Sequence, residues 1–340
     1  MNLLDPWILA RLVAGLAAAT LLVHAAFVGA RVLRFHHLGV ATEGQLALER
    51  QVELAGASAR IGAGLALLSL VLSGVAADRL SATIRGAMCG FGVVHANAWG
   101  PRSITLSVVA ALAAGAYLGV LRLDRDTRDL SLIRAVAILS MPVAALSVAD
   151  LAFAGAWLGG LDRDVVSSCC SVGADAGAGE AARIGHDAGP RVLATWGAAL
   201  LGGLAVLLAA RSSKKPTRSS AFGAGFVGLA ALPVFVMAVV LEVAPHVYEV
   251  PHHRCPYCLL RADAWGIGYP LFGAALLAAS WAGGTLLGAI VARGPAANEA
   301  FPGVARALLR REAIAWAVAL VVSAAPVVRY AIVAGAPLFR

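Results

Sequence analysis

The chain has 340 residues, 60% of them hydrophobic and only 14% charged, and its mean hydropathy is +0.82. A water-soluble domain covers itself with roughly 25% charged residues, so this composition excludes a soluble globular protein. The net charge of +8 rests on 27 basic residues, two of them Lys, and no basic stretch is interleaved with aromatics, which excludes a nucleic-acid partner and leaves membrane lipid as the surrounding medium.

An all-α polytopic helical bundle is expected, because lipid leaves every backbone polar group to be satisfied within its own segment. Crossing the hydrocarbon core takes about 20 mostly apolar residues. On that basis eight transmembrane helices are predicted, at 7–30, 58–78, 102–121, 132–157, 192–210, 220–244, 269–293 and 313–335. The first carries Arg11 and His24 and the last Arg329, so these are the least apolar ends of the series. Met1 to Arg11 lacks the net positive charge of a signal n-region, and the first span is expected to be retained.

Between the first two spans, residues 31–57 read as a partly amphipathic helix, with Leu46, Leu48, Val52 and Leu54 set against Glu43, Glu49, Arg50 and Glu53. It either lies on the membrane or extends span two. Residues 172–189 read as a Gly/Ala/Asp-rich loop and 211–219 as a hydrophilic linker. Basic residues concentrate on one side, in Arg31, Arg34, Arg50 and Arg60, in Arg122, Arg125, Arg128 and Arg134, in Arg211, Lys214, Lys215 and Arg218, and in Arg293, Arg306, Arg310 and Arg311. The positive-inside rule makes that side cytoplasmic. The expectation is a multi-pass protein of a bacterial inner (plasma) membrane with both termini periplasmic.

The same topology places all five cysteines on the opposite face. Cys89 falls between spans two and three, Cys169 and Cys170 between four and five, and Cys255 and Cys258 between six and seven. In a bacterial envelope that face is oxidising, so thiols there pair, bind metal or carry redox chemistry.

The outer loops also resemble one another. Cys89 is followed by Asn97-Ala98-Trp99-Gly100, and Cys258 by Asp263-Ala264-Trp265-Gly266. Ala10-Arg11-Leu12-Val13 opens span one as Pro190-Arg191-Val192-Leu193 opens span five. The pattern suggests an internal repeat of two four-helix units, 1–190 with the outer cysteine loop and 191–340 with the Cys-Pro-Tyr-Cys loop. Trp99 and Trp265 would sit at headgroup level, and Asn97 and Asp263 would cap the helices that follow.

Chemistry is expected at Pro251-His252-His253-Arg254-Cys255-Pro256-Tyr257-Cys258. In a thiol–disulfide exchange reading, Cys255 is the exposed attacking thiol, Cys258 the resolving one, and Cys169, Cys170 and Cys89 relay partners. The tetrapeptide Cys255-Pro256-Tyr257-Cys258 resembles the active-site dithiol of glutaredoxins over those four residues. A Cys-x-x-Cys at the outer end of a span, with further loop cysteines, is also similar in layout to quinone-linked disulfide-forming membrane proteins and vitamin K epoxide reductases. That resemblance implies a quinone cofactor and a periplasmic thiol protein as partner. Alternatively His252, His253, Cys255 and Cys258 offer two nitrogens and two sulfurs, a set suited to zinc or copper in a metal-binding or metal-transport protein. In a third reading the cysteines are disulfide staples of a structural membrane subunit. Covalent haem is excluded, because Leu259 and not His follows Cys258. Within the spans, His24, Asp150, Glu242 and Arg329 are the costly polar residues. Asp150 and Glu242, towards the outer ends of their spans, either belong to a proton or cation route leading to the thiols, or Asp150 pairs with Arg329 or each acid reaches the interface.

Overall fold

The computed structural model describes residues 5–35, 42–127, 131–162, 188–251, 253–335 and 338–339. Every element in those residues is helical, as the composition requires. Eight helices are long and apolar enough to span a membrane, in the predicted order.

Helix α1 spans Pro6–Phe35 and α2 spans Glu43–Leu80. The amphipathic stretch before span two is thus the opening of one continuous 38-residue helix, started by Thr42, whose hydroxyl accepts from the Gln45 N–H at 3.3 Å. A short helix α3, Gly90–His95, precedes α4, Trp99–Thr127, and α5 covers Ile133–Gly159. The second half has α6 at Ala188–Ser212 and α7 at Arg218–Ala238, the latter opened by a reciprocal capping box of Thr217 and Ser220. A π-helical segment, Val239–Val243, carries α7 into α8, Ala244–Tyr248. The last two helices are α9, Gly268–Val291, and α10, Pro295–Ala334.

In the first half α1 packs on α2 and α5, and α4 packs on α2 and α5, closing a ring of four helices. In the second half α6 packs on α7 and α10, and α9 packs on α7 and α10, closing a second ring. Both interiors are alanine-rich, with Ala18, Ala59, Ala63 and Ala114 in one and Ala198, Ala231, Ala275 and Ala278 in the other. Small side chains let helix backbones approach closely, which is how helices associate where lipid removes the hydrophobic drive.

The rings meet chiefly where α4 lies along α9, with α4 also touching α10. Glycines set this contact. A Cβ on Gly119 would come within 2.7 Å of the Gly284 Cα, and one on Gly115 within 2.5 Å of the Ser280 Cβ. The loops that precede α4 and α9 therefore emerge side by side at one end of the molecule, the end that carries the described cysteines.

Candidate functional site

The local sequence explains how the second loop presents its sulfurs. Pro256 starts a 3₁₀ turn, Pro256–Leu260, with Cys255 at its N-cap in extended conformation. Residues three apart stand on the same side of a 3₁₀ turn, so Cys255 and Cys258 share a face. Tyr248, at the end of α8, fixes this turn by donating to the Cys258 carbonyl at 2.8 Å. In the first loop Cys89 occupies the N-cap of α3. The Arg261 guanidinium donates to the Met88 carbonyl and ties that loop to the second.

The result is a cluster of three thiols drawn from both halves of the chain. The Sγ atoms of Cys89, Cys255 and Cys258 all lie within 4.8 Å of one another. Cys89 and Cys255 are 3.6 Å apart and share a thiol hydrogen bond. No disulfide links the three, and 3.6 Å is well beyond the roughly 2.05 Å of an S–S bond. Phe91, Tyr248 and Tyr257 wall the cluster, with Phe91 edge-on to Tyr257 at 6.2 Å between centroids.

Burial separates this arrangement from the exposed dithiol expected from the sequence. Cys89, Cys255 and Cys258 are 0%, 1% and 6% exposed, so Cys255 is not an accessible attacking thiol. The hydrogen bond with Cys255, together with burial, raises the Cys89 thiol above its ordinary range. Hydrogen bonds with Cys255 and Cys89, together with burial, raise Cys258 strongly. Burial likewise pushes the Tyr257 hydroxyl up to about 12. The cluster therefore disfavours negative charge unless a cation enters it.

His253 stands two residues before Cys255 in the chain. Its ring stacks on Tyr248 at 4.1 Å between centroids, its Nε2 is buried with no hydrogen-bond partner among the described residues, and burial lowers its affinity for a proton. The field of the Cys89 sulfur reaches it. Of the other sequence candidates, Cys169, Cys170 and His252 lie outside the described residues. His95 is exposed, stacked on Phe91 at 3.8 Å, and bonded to the Phe91 carbonyl.

No family model, curated protein or solved structure matches the chain. The functional reading rests on the chain's own geometry.

The flanking residues divide between confirmation and correction. Asn97 caps α4, accepting from the Trp99 and Gly100 N–H groups at 3.0 and 3.2 Å. Asp263 does not cap α9, which begins at Gly268; it accepts from the Ala264 N–H at 3.0 Å and from Arg261 at 3.2 Å, inside the turn Ala262–Ala264. Trp265 is 85% exposed. Its ring lies 5.7 Å from the Arg329 guanidinium.

The intramembrane acids have basic partners that the sequence reading did not assign. Asp150 pairs with Arg11 and not with Arg329: Arg11 Nη2 lies 2.8 Å from both carboxylate oxygens, while Ser107 donates to the same carboxylate. Glu242, on the π-helical segment, pairs with Arg191 at 2.8 Å. The shared position of Arg11 and Arg191 at the starts of spans one and five was the available signal. Glu312 was missed altogether, because it stands one residue before the span predicted at 313–335.

Proposed function

We propose that this membrane protein binds a thiophilic transition-metal ion, zinc or copper(I), at one membrane face through Cys89, Cys255 and Cys258. The observation that carries this reading is the convergence of three buried sulfurs within 4.8 Å from loops that belong to opposite halves of the chain. In tetrahedral zinc, sulfurs at about 2.3 Å from the metal stand about 3.8 Å apart, close to the spacing present. A divalent ion or copper(I) supplies the positive charge that three clustered thiolates need, and binding releases their protons.

The arginine-rich ends of the helices fit a cytoplasmic side, which would put the metal site on the periplasmic face of a bacterial inner membrane. Two related four-helix units, 1–190 and 191–340, fit the matching neighbour order of the two rings.

A second reading, thiol–disulfide exchange, is favoured by the 3.6 Å approach of Cys89 to Cys255. Joining them releases two protons and two electrons, which a quinone or a disulfide of a periplasmic thiol protein would have to accept.

One preparation tests both. The protein is purified without reductant, its metal is quantified, and its thiols are counted before and after dithiothreitol. Metal near one equivalent per chain, lost in Cys89→Ser, Cys255→Ser and Cys258→Ser alike, is the expected result. A metal-free protein whose thiol count rises reversibly on reduction would sink the metal reading in favour of exchange. Stable disulfides whose removal harms only folding would leave a structural subunit.

A further inference from the structure

We infer that Glu312 is a proton-binding carboxyl inside the second helical ring, a site independent of the cysteine cluster. Glu312 lies on α10, is 0% exposed, and has no hydrogen-bond partner on either oxygen among the described residues. An ionisable side chain in a membrane span is costly and ordinarily faces a partner or a functional path. Here the surroundings are built to admit the carboxyl but not to neutralise it. A side chain on Gly228 of α7 would collide with Glu312 Oε1, and the Ala282 methyl of α9 closes the same niche. Gly228 stands ten residues into α7, about 15 Å from its start at 1.5 Å per residue. The carboxyl is therefore well inside the bundle.

No charge from the surrounding helices pairs with it. Helix α9 contains no Asp, Glu, Lys or Arg. On α7 and the π-helical segment that follows, Glu242 is taken by Arg191 of α6, and Arg218 at the start of α7 donates to the Ala289 carbonyl. The other charges of the packed helices lie at their ends: Arg211 in the last turn of α6, Arg102 in the first turn of α4, and Arg122, Asp124, Arg125 and Asp126 in its last six residues. On α10, Glu299 lies in the first two turns, Arg306 donates to the Ser213 carbonyl and Arg329 lies over the Trp265 ring. On α10 itself Arg310 and Arg311 are exposed while Glu312 is buried. The hydroxyl of Tyr117 on α4 turns into the first ring, towards the Val136 carbonyl. A proton needs only the carboxylate.

A second unpaired group lies one turn along the same helix face. The Trp316 Nε1–H is fully buried and lacks an acceptor among the described residues, its ring packing edge-on to Phe235 at 5.6 Å. An unsatisfied acceptor and an unsatisfied donor at i and i+4 both face the ring interior. Glu312 thus binds a proton as a neutral acid and gives it up as a carboxylate.

Infrared spectroscopy of the full chain in lipid nanodiscs tests this. The spectrum of Glu312→Gln, a near-isosteric change, is subtracted from that of the parent in water and in deuterium oxide. The expected difference is a carboxylic C=O band that belongs to the parent alone and shifts on deuteration. Absence of that band at every pH tried would show an ionised carboxylate and overturn the proposal. A band that fails to shift in deuterium oxide would show a sealed structural acid and overturn it equally. Gly228→Ala keeps Glu312 but crowds its carboxyl, so it should displace the band, and an unmoved band would show that the carboxyl does not occupy this niche and overturn the proposal.

Discussion

Arg11 is fully buried in a span where an isolated guanidinium is expensive. Besides its two contacts to Asp150, its Nε donates to Ser73 at 2.6 Å and its Nη2 to Ser107 at 3.2 Å. Removing one member of such a pair strands the other charge, at a cost of about 3–5 kcal/mol. Asp150→Asn should therefore lower the unfolding midpoint in detergent sharply, while Arg11→Met combined with Asp150→Leu should recover most of the loss. The pair was half legible in the sequence. Asp150 announced itself as an acid in a span, but its partner depends on α1 packing against α5, which no local pattern encodes. The thiols make a second expectation at this scale. Because Cys89 and Cys258 are raised, their thiolates form only at more alkaline pH than the ordinary thiol value near 8.5. Alkylation of the metal-free protein by iodoacetamide should be slow at pH 7 and accelerate above about pH 9, as followed by intact-mass spectrometry. Rapid labelling of all three cysteines at pH 7 would contradict the burial described.

Among the helices, the contact that decides where the sulfurs stand is α4 against α9. Gly119 and Gly284 touch backbone to backbone, so a larger side chain there must push the helices apart. Gly119→Leu should weaken metal binding by tenfold or more while leaving both rings helical by circular dichroism, read as a competition against a chromophoric chelator. The spans themselves were plain in the sequence, since a run of about 20 apolar residues has few alternatives. The π-helical segment at Val239–Val243 was not, because it records one extra residue accommodated by packing. Nor was the meeting of Cys89 with Cys255, 166 positions away. Small residues at 115, 119, 280 and 284, spaced by four on α4 and again on α9, were the signal from which that pairing could have been read.

Across the whole molecule, both rings repeat one neighbour order, and the cysteine cluster draws on both of them. A ligand held only by the folded state stabilises it, by about 2.7 kcal/mol when present at a hundred times its dissociation constant. Adding zinc or copper(I) should therefore raise the unfolding midpoint of the parent but not of Cys258→Ser, and a soft-metal chelator should reverse the gain. Equal shifts in both proteins would place the metal elsewhere. The backbone contact between Gly119 and Gly284 has a mechanical side as well. It lies about 24–30 Å from the cysteine-end starts of α4 and α9, but only about 10–12 Å from their far ends, at 1.5 Å per residue. A pivot so placed gears movement down. Any displacement at the cysteine end swings the opposite end by less than half as much. A metal held by the three sulfurs would therefore be felt where it binds, and a reporter label belongs on the Trp99 and Trp265 end of the lever.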